Sequence, residues 1–182
     1  EYRRQRQMCI RDRKLDCVAY GCTSGTIASG YKSIYKKINI AKPNTKVTTP
    51  ITSAINAFKT LKINKLSIFT PYTNEINQSL INYFKNKNIA IDELFYLDIA
   101  SDLDIGKVDP NYLFDVLTKK NLSQSNVLFI SCTALPVLSI LQDLENKLGK
   151  VILSSNQTLI WDTLRQIKYK SKIKGFGELF KN

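Results

Sequence analysis

Two short stretches of the chain pair a cysteine with a threonine at the end of an apolar run. "CVAYGCTSG" spans residues 17–25 and "VLFISCTALP" spans residues 127–136, which sets Cys22 and Cys132 110 residues apart. In both, the order is strand, Gly or Ser, Cys-Thr, a small residue, then a segment of helical period. A cysteine at a helix N-terminus lies in positive partial charge beside free backbone N–H groups, which favours its thiolate. The same N–H groups, with the hydroxyls of Thr23, Ser24 and Thr133, suit a carboxylate. The pattern predicts two activated thiols, Cys22 and Cys132, facing one anionic substrate. Cys17 falls inside its strand and is expected to be a small buried hydrophobe. The chain has no histidine, so no Ser-His or Cys-His pair can operate and a histidine-based zinc site is excluded. Proton transfer falls to Cys, Tyr, Lys or carboxylates, and neither metal nor cofactor is expected.

The elements that must position these thiols alternate. Strand-like runs occur at 15–21, 65–70, 91–99, 126–132 and 150–155, and helix-period segments at 27–38, 50–61, 73–87, 110–120, 135–147 and 156–168. Such alternation predicts an α/β fold with parallel strands and right-handed crossovers. Ligands of these sheets collect beyond the carboxyl ends of the strands, where both Cys-Thr turns fall. Pro50 and Pro110 suit a first helical turn, Thr73 or Asn74 can cap the helix that follows, and Asn156 is expected to cap the last helix while lining the site. Trp161, Tyr83, Phe84 and Phe95 lie on apolar faces and are assigned to the core. Asp102 and Asp104 sit in a loop that either reaches the cleft or caps itself.

Composition narrows the class. A chain of 182 residues that is 43% hydrophobic can bury one good core or two small ones. No run approaches the ~18 apolar residues of a membrane span, and no secretory signal follows the basic start. Four cysteines without compact spacing do not form a disulfide framework, so reduced thiols in a cytoplasm are expected. The net charge of +12 is concentrated at the ends: residues 1–14 carry +4 and residues 165–182 carry +5. Nucleic-acid binders gather basic residues on one folded face among aromatic platforms, so no specific nucleic-acid partner is expected. The opening "EYRRQRQMCIRDR" has neither helical nor strand period, and residues 1–14, with Cys9, are set apart as a non-native or misassembled leader.

Five motifs in order, "VAYGCTSGT", "VTTPITSAINAFKTL", "LSIFTPYTNEIN", "FISCTAL" and "LGKVILSSNQTLIWDTLR", resemble the maleate cis-trans isomerase and arylmalonate decarboxylase branch of the aspartate/glutamate racemase superfamily. The resemblance runs from about residue 15 to 168 and implies two pseudo-symmetric parallel-sheet α/β halves with one functional position from each meeting at a cleft. On that basis residues 15–62 are the remainder of the N-terminal half, 63–155 the second half, and 156–182 a C-terminal helix and tail returning to the first. Cys22 and Cys132 match the paired catalytic cysteines of the isomerases. Thr23, Ser24 and Tyr72 match the polar pocket for a substrate carboxylate, assisted by the Thr133 backbone. The resemblance also implies a strand and a substrate-binding loop ahead of the first cysteine strand. The basic opening stands in their place, so the first half is expected to be incomplete, the chain N-terminally truncated, and its turnover small.

The resemblance implies a small dicarboxylate as substrate and a homo-oligomer for the full-length protein. In cis-trans isomerisation one thiolate adds to the double bond, the resulting single bond rotates, and elimination gives the trans product while the second cysteine handles the proton. Decarboxylases of the branch carry glycine at the first position, so Cys22 argues against them. Amino-acid racemases commonly set Asn beside the cysteine, whereas Gly21, Thr23, Ser131 and Thr133 are the neighbours here. Ectoine-utilisation proteins share the motifs. A reading of another class is a non-catalytic α/β module binding small anions at its Cys-Thr turns.

Overall fold

The computed structural model describes residues 14–120, 125–169 and 171–182. Apart from Lys14, the segment set apart as a leader, with Cys9, lies outside the described residues. The elements run β1 (Cys17–Ala19), α1 (Thr23–Ser29), α2 (Tyr31–Ala41), β2 (Lys46–Thr48), α3 (Pro50–Thr60), β3 (Lys65–Thr70), α4 (Asn74–Lys85), β4 (Ala90–Tyr96), α5 (Asp102–Ile105), α6 (Pro110–Thr118), β5 (Val127–Ile130), α7 (Leu141–Leu148), β6 (Val151–Ser154) and α8 (Ser155–Gln166), closed by a 3-10 turn at Glu178–Lys181. Among the described residues every strand pair is parallel: β1 pairs with β2, and a four-stranded sheet has the order β4-β3-β5-β6. The α/β class and parallel pairing expected from the sequence are what the structure has.

Successive side chains on a strand point to opposite faces, so a strand covered on both faces must be apolar at every position. That accounts for the apolar runs of β5 and β6 and for Leu66, Ile68 and Phe69 of β3, where the buried Ser67 is the exception, and it sorts these residues into two cores. Leu66, Ile68, Val127, Phe129 and Leu153 face one layer, built with Phe58, Leu80, Phe84 and Trp161. Phe69, Leu128, Ile130 and Ile152 face the other, with Leu113, Leu117, Leu141 and Leu144. Phe58, Phe84 and Phe129 form the densest point, with ring centroids 5.4–5.8 Å apart, two of the three contacts being edge-to-face. Phe84 and Trp161 are buried as assigned, while Tyr83 and Phe95 pack half-buried at the core margins.

Four details differ from the sequence expectation. Strand β2 was not anticipated, because three residues, Lys-Val-Thr, are too few to show a period. The single helix expected at 27–38 is two helices broken at Gly30, whose φ of 76° only glycine adopts freely. The helix expected at 135–147 begins at Leu141, since Pro136 disfavours helical backbone at the residue before it. The last helix is capped by Ser154 rather than Asn156. Ser154 accepts the Gln157 N–H, and the Gln157 side chain returns the bond to the Ser154 N–H, which is the Ser-x-x-Gln capping box. Pro50 and Pro110 do open their helices, the second with Asp109 accepting from Asn111 N at 2.7 Å and Tyr112 N at 3.2 Å.

Helix α8 joins the two sheets. It leaves the carboxyl end of β6 and crosses to pack on α3, β1 and β2. The buried Asp162 carboxylate accepts from Ser53 Oγ at 2.8 Å and from Asn56 Nδ2, and Thr163 shares a 2.7 Å hydroxyl contact with Thr48. The first turn of α8 is thereby held where the strands of both sheets end.

Candidate functional site

Turns from both sheets converge at those carboxyl ends. Past β1 the chain enters Gly21-Cys22 and begins α1, with Cys22 as its N-cap. Extended backbone at Cys22 (φ −135°, ψ 115°) turns the sulfur back over the helix, where Sγ accepts the Gly25 N–H at 3.3 Å. Thr26 Oγ1 donates to the Cys22 carbonyl at 2.6 Å, and Ser24 Oγ lies 3.8 Å from the sulfur. Gly25 is required by this packing, because a Cβ there would stand 2.9 Å from both Cys22 Sγ and the Tyr20 hydroxyl. The expected placement of a thiol on a helix N-terminus therefore holds for Cys22, which is half-buried there.

The second copy is built differently. No helix starts at Cys132, and residues 133–140 run as bends and turns before α7. Cys132 has a φ of 138°, a conformation that costs a non-glycine residue of order 1–3 kcal/mol. Its sulfur accepts the Ala134 N–H at 3.4 Å. Burial pushes the Cys132 thiol above the ordinary thiol range, opposed by the Ala134 N–H, by the Tyr72 hydroxyl and by Leu135, and reinforced by the charge of Asp102. The sequence expectation of a depressed pKa thus fails at this position, because desolvation outweighs the N–H donors when no helix dipole adds to them. Cys17, half-buried beside Thr48, is also raised, again by burial.

Tyr72, just beyond β3, brings the two turns together. Its buried hydroxyl interacts with Cys132, Ser131 and Thr23, and burial followed by the Cys132 charge drives its pKa far above the usual phenol range. The fully buried Ser131 Oγ makes no hydrogen bond of good geometry, so its contact with Tyr72 is loose.

A closed set of hydrogen bonds locks the turns to each other. Thr133 Oγ1 donates to the Gly21 carbonyl at 2.8 Å, and the Thr133 carbonyl accepts Asn156 Nδ2 at 3.0 Å. Ser155 Oγ accepts Thr23 Oγ1 at 3.1 Å and the Cys132 N–H at 3.1 Å. Of the residues expected at the site, Cys22, Thr23, Ser24, Tyr72, Cys132, Thr133 and Asn156 are all here. Thr133 and Asn156, however, spend these groups on holding the walls. Ser155 was missed. The Ser-x-x-Gln spacing of 154–157 would have set the cap at Ser154 and left Ser155 in the first turn, facing the strand ends.

Asp104 pairs with Lys107 at 2.9 Å on the short α5, whose cap is Ser101, so of the two loop acids only Asp102 reaches the site electrostatically. Beside the Cys22 turn a cleft of about 540 Å³ opens between α1 and α4, lined by Ser24, Gly25, Ile27, Thr73, Glu75 and Ile76 among others. Among the described residues no three His, Cys, Asp or Glu side chains gather to share a metal ion, and no helix is long and apolar enough to cross a membrane.

The fold is shared with known proteins. A maleate isomerase of Geobacillus stearothermophilus is 26% identical over 180 residues, spanning 93% of this chain and 71% of the relative. The crystal structure of the maleate isomerase Iso from Pseudomonas putida S16, as a cysteine-to-alanine variant with maleate, superposes with a TM-score of 0.87 at 18% identity, covering 95% of this chain and 72% of that one. The maleate cis-trans isomerase of Nocardia farcinica, as a cysteine-to-serine mutant with a covalently bound succinylcysteine intermediate, gives a TM-score of 0.86 at 17% identity over 98% and 77% of the two chains. A family model described as arylmalonate decarboxylase matches residues 31–180, most of the chain, and the protein belongs to that family.

Proposed function

We propose that the protein is a cofactor-independent isomerase that converts a small cis-enedioate, maleate or a close analogue, into its trans isomer. The observation that carries this reading is the pair of unlike thiols locked together at the strand ends. Cys22 is half-buried on a helix N-terminus with an N–H already aimed at its sulfur, and Cys132 is buried, raised in pKa and faced by a tyrosine hydroxyl.

The roles follow from that asymmetry. The Cys22 thiolate adds to one alkene carbon, an S–C bond forms, and the π pair moves to the other carbon, which takes the proton of the Cys132 thiol. Burial keeps that thiol protonated until it is needed. The former double bond, now single, rotates. The Cys132 thiolate, held by the Ala134 N–H and the Tyr72 hydroxyl, removes a proton from the same carbon, and the S–C bond breaks to release the trans product. Atoms and electrons balance with no net redox change. Ser24 and Tyr72 hold the substrate carboxylates, while Thr23, whose hydroxyl is committed to Ser155, joins Thr133 and Asn156 in shaping the wall. A decarboxylase would leave the N-capped Cys22 idle, which favours isomerisation over the other activity known in the family. The succinylcysteine in the Nocardia enzyme supports the covalent step.

The test is mass spectrometry of the protein incubated with maleate, together with proton NMR for fumarate. Expected are fumarate with the unaltered chain, none with Cys22→Ser, and a succinyl adduct on Cys22 in Cys132→Ser. Adducts distributed equally over Cys17 and Cys22, or fumarate formed by both single mutants, would remove the two-cysteine mechanism.

A further inference from the structure

One hydroxyl oxygen serves both cysteine turns. Ser155, the first residue of α8 and fully buried, accepts through Oγ from the side chain of Thr23, directly after Cys22, and from the backbone N–H of Cys132 itself. We propose that Ser155 is the positioning residue of the proposed isomerase: it touches no substrate, but it sets the separation and orientation of the two thiols.

Three features give it that role. First, Cys132 is held at a φ of 138°, and such a residue persists only where the surroundings over-determine it. The bond from its own N–H to Ser155, with that of Ser131 N to the Phe69 carbonyl at 2.8 Å, pins the backbone on the approach to the strained residue. Second, Ser155 is itself immobile. It follows the Ser154–Gln157 capping box, its carbonyl accepts Thr158 Oγ1, and α8 is anchored to α3 through Asp162. Third, Thr23 is 1% exposed and Cys132 6% exposed, so water cannot replace the lost acceptor for either donor. A shift of about 1 Å in a reacting group can cost roughly 100-fold in rate, so an oxygen fixed against both loops acts on turnover rather than on substrate affinity.

The proposal rests on the isomerase reading, but its deciding measurement needs no substrate. In Ser155→Ala, alkylation of Cys17, Cys22 and Cys132 by iodoacetamide is followed by peptide mass spectrometry. Cys17, in β1, serves as the internal standard for general loosening. The expected result is a change of at least about threefold in the labelling rates of Cys22 and Cys132 relative to Cys17, and, where wild type turns maleate over, a fall in kcat of roughly tenfold or more with KM changed less than about threefold. Should Ser155→Ala not fold, Thr23→Val removes one of the two donors and Thr23→Ser restores it. Altered labelling of Cys132 in the first and recovery in the second is expected, because the Ser155 oxygen is bonded both to Thr23 Oγ1 and to the Cys132 N–H. Labelling ratios equal to wild type in Ser155→Ala, or a Thr23→Val effect confined to Cys22, would overturn the proposal. Failure of wild type to isomerise maleate would count against the isomerase reading alone, since the labelling ratios stand without it.

Discussion

Replacing Tyr72 by Phe isolates one hydroxyl and its interaction with the Cys132 sulfur. The ring is buried and 4% exposed, so the substitution keeps its packing and removes only the hydroxyl facing Cys132, Ser131 and Thr23. Of the groups that hold the Cys132 pKa down against burial, the Tyr72 hydroxyl is the only side chain; the others are the N–H groups of Ala134 and Leu135. A hydrogen bond to a charged group contributes about 1.5–3 kcal/mol. Losing it should push the Cys132 pKa further above its already raised value in Tyr72→Phe. The sign follows from the reactive species: the thiolate is the nucleophile, so labelling of Cys132 climbs through the alkaline range and the variant climbs later. Below both midpoints its rate should fall about 10–100-fold, with Cys17 unchanged. The assay is a pH series of iodoacetamide labelling read per cysteine, paired with kcat against pH on maleate. If Cys132 must surrender and recover a proton, the variant's kcat loss concentrates in the surrender step, which forms the less stable thiolate, whereas that thiolate, a stronger base, recovers its proton no more slowly. A Cys132 midpoint within about 0.3 units of wild type would refute the tyrosine–thiolate bond, and the proton-handling role given to the pair with it.

Gly25→Ala places a methyl group 2.9 Å from Cys22 Sγ, so Cys22 should lose its capping geometry. Alanine is otherwise favoured in a helix by about 1 kcal/mol, which predicts a near-native melting temperature with altered Cys22 labelling and depressed kcat; unchanged labelling would show that the sulfur moves aside freely. Gly177→Ala is a stability probe away from the site. Its φ of 81° and a Cβ 2.7 Å from Leu141 Cδ2 and 2.9 Å from Gln157 Nε2 predict a loss of about 1–3 kcal/mol, measurable as a shifted urea midpoint. Phe58→Ala empties the centre of the aromatic cluster and should cost about 3–5 kcal/mol in the same experiment.

The sequence carried most of the architecture because strands buried on two faces are largely apolar, and the runs of β3, β5 and β6 could be little else. It also carried both cysteines, since a Cys-Thr pair at the tip of an apolar run has few structural reasons to occur twice. Where it misled, the signal was local and the outcome depended on the surroundings. Thr23 and Thr133 occupy equivalent places in the repeat, yet Thr23 bonds to Ser155 while the Thr133 hydroxyl closes onto Gly21. Asn156 suits a cap by residue type, but the cap forms two residues earlier, where Ser154 and Gln157 satisfy two backbone donors at once.

By itself, then, the sequence determined the alternation of parallel strands and helices, the two thiols and the absence of any histidine to assist them. Periodicity and residue chemistry are properties of the chain, and they survive without coordinates. Only the tertiary structure decided that the two thiols are unlike. Cys22 meets a helix N-terminus, whereas Cys132 meets strained backbone, burial and a tyrosine. Desolvation and hydrogen bonding depend on what other segments bring to the same point in space. For Cys132 those segments are α8 with Ser155, 23 residues further along the chain, and the turn after β3 with Tyr72.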